Sequence, residues 1–334
     1  MLRRSRTGLR APWSPCVDRS WNGVVSAHCT GSRPKRSAPR YPIVAATFDW
    51  MDAKSFLGMQ PTHNRFRFHL PVKPGLSTSS GFLFGGAGLG AAVEALETAS
   101  GRPVVWATAQ YLSFAQTGSV VDLDVKVAVS GHQITQARVV GHVADQEIFT
   151  VNAALGAREH PSHGQFAVRP PAPPPGECPI RVSSNQADET IHNSVEMRSV
   201  DVRSDSELSM GGPGRVRPDG RVVVWARVTD LDEVSAMSLA VMGDWVPFGV
   251  SQAFGMHGGG NSLDNTLRVV RLVPTEWVLL DIRIHGAYNG FAHGLVHQWA
   301  EDGTLLATAS QSVIVRHRDA SGQRRRRVAP IAEP

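Results

Sequence analysis

Residues 82–98, FLFGGAGLGAAVEALET, constrain this chain more than any other stretch. The segment is apolar on nearly every side, and a helix apolar all round is a buried helix. Its first half carries Gly85, Gly86, Gly88 and Gly90. Each glycine weakens a helix by about 1 kcal/mol relative to alanine. Close approach of another backbone is the usual compensation, because glycine has no Cβ to hold one off. Alternating stretches follow at Val104–Phe114, Val121–Val129, Gln133–His142 and Ile148–Leu155, and each reads as a strand. One small-residue helix followed by a run of strands predicts an α+β unit, its antiparallel sheet wrapped around a central helix.

That unit spans residues 62–158. It opens with RFRFHL as a strand, and Ser77 to Ser80 can cap the helix that follows. Residues 159–180 form a proline-rich linker, a composition that favours an extended, semi-rigid spacer. Residues 181–317 then repeat the plan. Strands are expected at Ser194–Val202, Arg221–Thr229, Asn265–Val273, Trp277–His285, Ala292–Ala300 and Leu305–Arg316. Leu231–Phe254 reads as an apolar helix that Pro247 bends or ends. Gly258 to Gly260 reads as a flexible loop. At an offset of about 157 residues, EIFTVNAAL falls on TLLATASQS and VVDLDVKV falls on VLLDIRIH, the mark of an internal repeat.

The chain has 334 residues, 42% of them apolar, enough for two real cores. No apolar run approaches the roughly 18–20 residues that span a bilayer, and no signal-peptide pattern is present. Cys16, Cys29 and Cys178 have no metal spacing and fit a reducing compartment, so a cytoplasmic location is expected. The net charge of +5 is misleading. Residues 1–40 alone carry about +8, and Arg324 to Arg327 lie in a second basic segment. Residues 1–50 read in three ways: an upstream in-frame extension with Met51 the working start, a disordered tail, or an organelle transit peptide. Residues 318–334 read as a disordered basic tail. With the charge confined to the tails, the basic balance does not point to nucleic acid.

FLFGGAGLGAAVEALE, the strands after it, the proline linker, NSLDNTLRVVR and the closing ATASQSVIVR together resemble the type II acyl-CoA thioesterases. The resemblance covers roughly residues 62–316 and rests on the order and spacing of these stretches. It implies a tandem (double) hotdog fold and hydrolysis of acyl-CoA to a free fatty acid and CoA. The family's polar trio maps onto Asp244 in VMGDWVPFG, Ser262 in NSLDN and Gln311 in ASQSVIV. The family often has His where this chain has Asn265, and Thr is commoner than Ser at 262. On this reading the trio belongs to the second unit only, since Gln311 falls opposite Ala154 in the first.

The chemistry needs a held water and a proton acceptor. Asp244 can accept the proton, and Ser262 and Gln311 can each donate and accept to a water. Backbone N–H groups at a helix N-terminus suit the developing oxyanion. Gly85 and Gly86 are the candidates in the first unit, and the turn at Asp232–Ser235 in the second. Arg271 is a candidate for a CoA phosphate. Taken alone, each position has a plainer reading: Asp244 a solvated helix end, Gln311 an outward strand position, Ser262 a turn residue, Asp264 a partner for turn backbone, Arg271 a surface cation. His293 and His297 on one strand face stand about 13 Å apart, too far for one ion. No metal and no cofactor is expected. Expected partners are an acyl-CoA substrate and a second copy of the chain, since exposed hotdog faces and edges favour pairing. A non-catalytic acyl-CoA or lipid-binding protein of the same fold is the alternative. A hydratase is disfavoured because no His lies within residues 232–255.

Overall fold

Helix α1 (Gly85–Ser100) is the expected buried helix, displaced by two to three residues from the apolar run. Every residue from Gly86 to Leu96 is buried. Gly101 ends it at φ 66°, a left-handed conformation that glycine adopts without strain, and its N–H donates to Glu97 O. The structure is a computed structural model that describes residues 55–182, 189–209, 214–229, 231 and 233–317. The N-terminal segment 1–50 and the basic tail 318–334 lie outside the described residues, as does Asp232.

Strands of the first half are β1 (Gln60–Pro61), β2 (Arg67–Pro71), β3 (Val104–Tyr111), β4 (Val120–Ser130), β5 (Ile134–Val143) and β6 (Gln146–Gly156). Those of the second are β7 (Val195–Asp201), β8 (Arg221–Val228), β9 (Gly258–Ser262), β10 (Asp264–Val269), β11 (Val278–Tyr288), β12 (Phe291–Ala300) and β13 (Leu305–His317). They join in one antiparallel sheet ordered β1-β2-β4-β5-β6-β3-β10-β13-β12-β11-β8-β7, with β9 also paired to β13. Read from either edge, the order is the same plan. Strands β2, β4, β5, β6 and β3 correspond to β8, β11, β12, β13 and β10. This is a tandem hotdog of α+β class. The halves meet at β3 and β10, where Thr108 stands opposite Thr266 with their Oγ1 atoms 2.7 Å apart.

The second central helix is broken, and not at Pro247, where a bend or an end was expected. Helix α2 (Ala236–Gly243) stops at Asp244, and helix α3 (Val246–Phe254) restarts from Trp245. Pro247 sits in the first turn of α3, where its missing N–H costs nothing. The break therefore precedes the proline and leaves Asp244 outside the helical hydrogen-bond ladder, at φ −89° and ψ 35°.

Helices α1 and α2 pack across the two halves, and this explains the glycines. A Cβ on Gly86 would lie 2.8 Å from both Val241 O and Asp244 Cβ. One on Gly90, a turn later, would lie 3.1 Å from Met237 O. The compensation for weak helix propensity is thus close contact with the other half's helix. One contiguous core runs through both halves, from Leu57 to Val313.

Two further expectations change. Residues 258–260 are strand, not flexible loop: Gly260 pairs with Val315, and a Cβ there would fall 2.1 Å from Val313 Cγ1. The proline-rich stretch is not a bare spacer. Trp225 Nε1 donates to Pro173 O at 2.9 Å, Arg198 to Pro175 O at 2.9 Å, and Leu305 N–H to Gln165 Oε1 at 2.7 Å. It covers a second apolar cluster of Cys178, Trp225, Trp277, Leu279, Trp299 and Leu305. An apolar outer sheet face of that size needs cover. Among the described residues no helix is long and apolar enough to cross a membrane.

Candidate active site

Asp244 is 3% exposed and takes hydrogen bonds from both halves. Gly86 N–H donates to its Oδ2 at 2.5 Å. Ser262 Oγ donates to its Oδ1 at 3.1 Å, and Gln311 Nε2 donates to the same oxygen. Gln311 Nε2 also reaches Ser262 Oγ at 3.0 Å. The three expected side chains therefore form one closed cluster.

Each is placed by a local reason. The gap between α2 and α3 frees Asp244. Strand β9, zipped to β13 at Ser262 and Val313, fixes the serine. The amide of Gln311 is aimed by helix α3: its Oε1 accepts from Val246 N–H at 3.1 Å. That N–H is one of the unpaired donors every helix N-terminus leaves. With the oxygen so engaged, the NH2 must face the carboxylate.

The electrostatics are opposed. Burial pushes the Asp244 carboxyl up to about 7, while the hydrogen bonds from Gln311, Gly86 and Ser262 favour its ionised form. The N-terminus of α1 adds a partial positive charge beside it. The result is a carboxylate poised to exchange a proton near neutral pH, which is what a general base requires.

The other expected residues fall in different places. Gly86 N–H was expected to face substrate; the structure turns it onto Asp244, because the helix break brings that carboxylate to the start of α1. Gly85 lies at the same spot, and a Cβ on it would sit 2.7 Å from Asp244 Oδ2 and 2.9 Å from the Tyr111 ring. Ser235 caps α2, accepting from Ser238 N–H at 3.2 Å. It is one helix length, about 12 Å, from the carboxylate. Arg271 is exposed beyond the far end of β10 and near Asp302. Roughly 25 Å of strand separates it from Ser262. Asp264 Oδ1 accepts from Ser312 N–H at 2.8 Å and pins β10 to β13. Among the described residues no group of three His, Cys, Asp or Glu side chains could hold a metal ion.

Sequence reasoning missed an aromatic wall beside the cluster. Trp245 is buried, with its ring centroid 5.3 Å from His192, 5.7 Å from Phe84 and 6.3 Å from Phe248. It also missed Tyr111, at the end of β3. One signal was available for Asn265: it shares strand parity with the core residue Leu267, so a polar amide occupies a core position. Neither of two open surface hollows, around Arg102 and around Lys126, is lined by the trio.

Residues 174–315 match a family model described as the acyl-CoA thioesterase C-terminal domain. A protein from Novosphingobium aromaticivorans described as a thioesterase is 35% identical, with a TM-score of 0.67 over 76% of this chain and 96% of that one. A hot dog-fold protein from Alicyclobacillus acidocaldarius is 18% identical, with a TM-score of 0.67 over 79% of this chain and 97% of that one. An acyl-CoA thioesterase II from Mycobacterium marinum is 19% identical, with a TM-score of 0.60 over 79% and 98%. No curated protein matches the chain by sequence.

Proposed function

The chain belongs to the type II acyl-CoA thioesterase family of thioester hydrolases, and on that premise we propose that it cleaves acyl-CoA with a water activated by Asp244, Ser262 and Gln311. The observation that carries the reading is the closed cluster: one buried carboxylate, held by a backbone N–H from the other half and by two side chains suited to binding water. Ser262 is its half-buried member and offers the water a place at the solvent side.

The ionised Asp244 takes a proton as the water oxygen adds to the thioester carbonyl carbon. The carbonyl electrons move onto oxygen. On collapse they return, the C–S bond breaks, and the proton passes to the departing sulfur as CoA thiol. Free fatty acid remains. The apolar wall of Trp245, Phe84 and Phe248 suits the acyl chain. Gly86 serves the reaction by holding the base rather than the substrate.

The test is release of free thiol from a panel of acyl-CoAs, short to long, by wild type and Asp244→Asn. Turnover by wild type, lost by about 10²–10⁴-fold in the variant, is the expected result for removal of a general base. Turnover that survives the substitution overturns the site. Acyl-CoA binding without turnover at any chain length would make the chain a binding protein instead.

A further inference from the structure

The oxyanion of the thioester reaction needs a donor, and the Gly86 N–H at the start of α1 is already committed. Gly86 N–H points at Asp244. Two side chains beside the carboxylate have polar atoms to offer. Asn265 is wholly buried, opposite Ala109 of β3, yet neither its amide nitrogen nor its oxygen meets a protein partner at full hydrogen-bond geometry. Tyr111 stands two residues beyond Ala109, so its side chain shares that face of the sheet. Its hydroxyl is buried and meets no partner at full hydrogen-bond geometry; it interacts loosely with the Asn265 amide and feels the Asp244 charge. The absent Cβ of Gly85 leaves that hydroxyl and Asp244 Oδ2 within 3.0 Å of a common point. Buried polar atoms are nearly always paired. With the Asn265 amide turned to the phenolic oxygen, the Tyr111 hydroxyl hydrogen is left without an acceptor, beside a candidate base.

We propose that Tyr111 donates its hydroxyl hydrogen to the thioester carbonyl oxygen, and that Asn265 holds that hydroxyl in place. The inference rests on the thioesterase reading above and extends it. Tyr111 is half-buried with its hydroxyl at the buried end of the ring, whereas Asn265 is wholly buried and acts through Tyr111. Burial and the Asp244 charge both hold the phenol well above its ordinary value, so it stays protonated and remains a donor. As water adds, the carbonyl electrons move onto oxygen and the Tyr111 hydrogen bond shortens. The proton stays on tyrosine, and the bond relaxes when the C–S bond breaks. The first half thus supplies a catalytic residue, Tyr111, and the second its positioning residue, Asn265.

The experiment compares Tyr111→Phe, Asn265→Ala, the double variant and Asp244→Asn with wild type in the thiol-release assay. Tyr111→Phe keeps the ring and alone decides the matter if Asn265→Ala does not fold. It should lower kcat by about 10²-fold, the loss of one oxyanion donor, with KM changed less than about twofold. Asn265→Ala should lower kcat less, and add nothing once Tyr111 is Phe, because a residue acting through another shows full coupling. Wild-type kcat in Tyr111→Phe overturns the donor while loss in Asp244→Asn leaves the thioesterase site standing. An Asn265→Ala loss that persists undiminished in the Phe background overturns the positioning role. Absence of thiol release by wild type overturns both proposals together.

Discussion

The two halves share one strand plan but divide the polar groups unequally. In the first half the central helix is continuous, sixteen residues long and without a charged residue before Glu94. In the second it breaks at Asp244. The strand that ends the first half carries Ala153 where its counterpart carries Gln311, one residue from the expected Ala154. The first half contributes closeness and donors: Gly86 N–H and the face bearing Tyr111. The second contributes the acid and its two partners. A duplicated fold need not duplicate a site, because one carboxylate can draw on the hydrogen-bond donors of both copies.

The largest expected effect comes from erasing the inequality. Gly86→Asp would set a second acid against the first in a space with no room for a Cβ. A buried uncompensated charge costs about 3–5 kcal/mol, so the urea midpoint should fall by that equivalent or the protein should fail to fold. A midpoint near wild type would mean the two helices do not meet as described. Gln311→Ala leaves Val246 N–H without its acceptor, a loss of about 1–3 kcal/mol, read from the same titration. It should also lower kcat.

A finer probe is pH. Activity should be present above about 7 and lost as pH falls through it, because the base must be ionised and burial holds Asp244 near that value. Ser262→Ala removes a hydrogen bond that favours the ionised form, so the acid limb of kcat/KM should move to higher pH. A limb that stays put would detach Ser262 from the carboxylate. The smallest effect belongs to Arg271→Ala. Stability should change by less than about 0.5 kcal/mol, as at other surface sites, and kcat should hold. A large fall in kcat would bring the far end of β10 into the reaction.

Much of this was legible in the sequence, for physical reasons. The period of two in VDLDVKV and the all-round apolar helix are local signals, and the strands and α1 fall where they predict. The resemblance to a family marked the positions of Asp244, Ser262 and Gln311, which the structure brings together. What stayed hidden depends on neighbours far apart in the chain. Nothing in SLAVMGDWV says that its helix stops at Gly243, since the run stays apolar through the break. Three glycines in GGGNS look like a loop until Val313 is beside them and leaves no room for a Cβ. The proline stretch reads as a spacer until the tryptophan face it covers is known. Gly86 was marked as a donor, but its recipient lies in the other half.

The pair Gly86 and Asp244 is separated by 158 residues, and so is the pair Thr108 and Thr266 that faces across the seam. The two pairs still differ in place: Thr108 and Thr266 are counterparts on the seam, whereas Gly86 lies at the start of α1 and Asp244 follows the last residue of α2. In an assembly of two identical chains a contact of the second kind would occur twice, with the same residues each time. Covalent fusion lifts that identity, so one half can hold the acid while the other holds the donor. The single chain breaks a symmetry that a homodimer of half-length chains is obliged to keep.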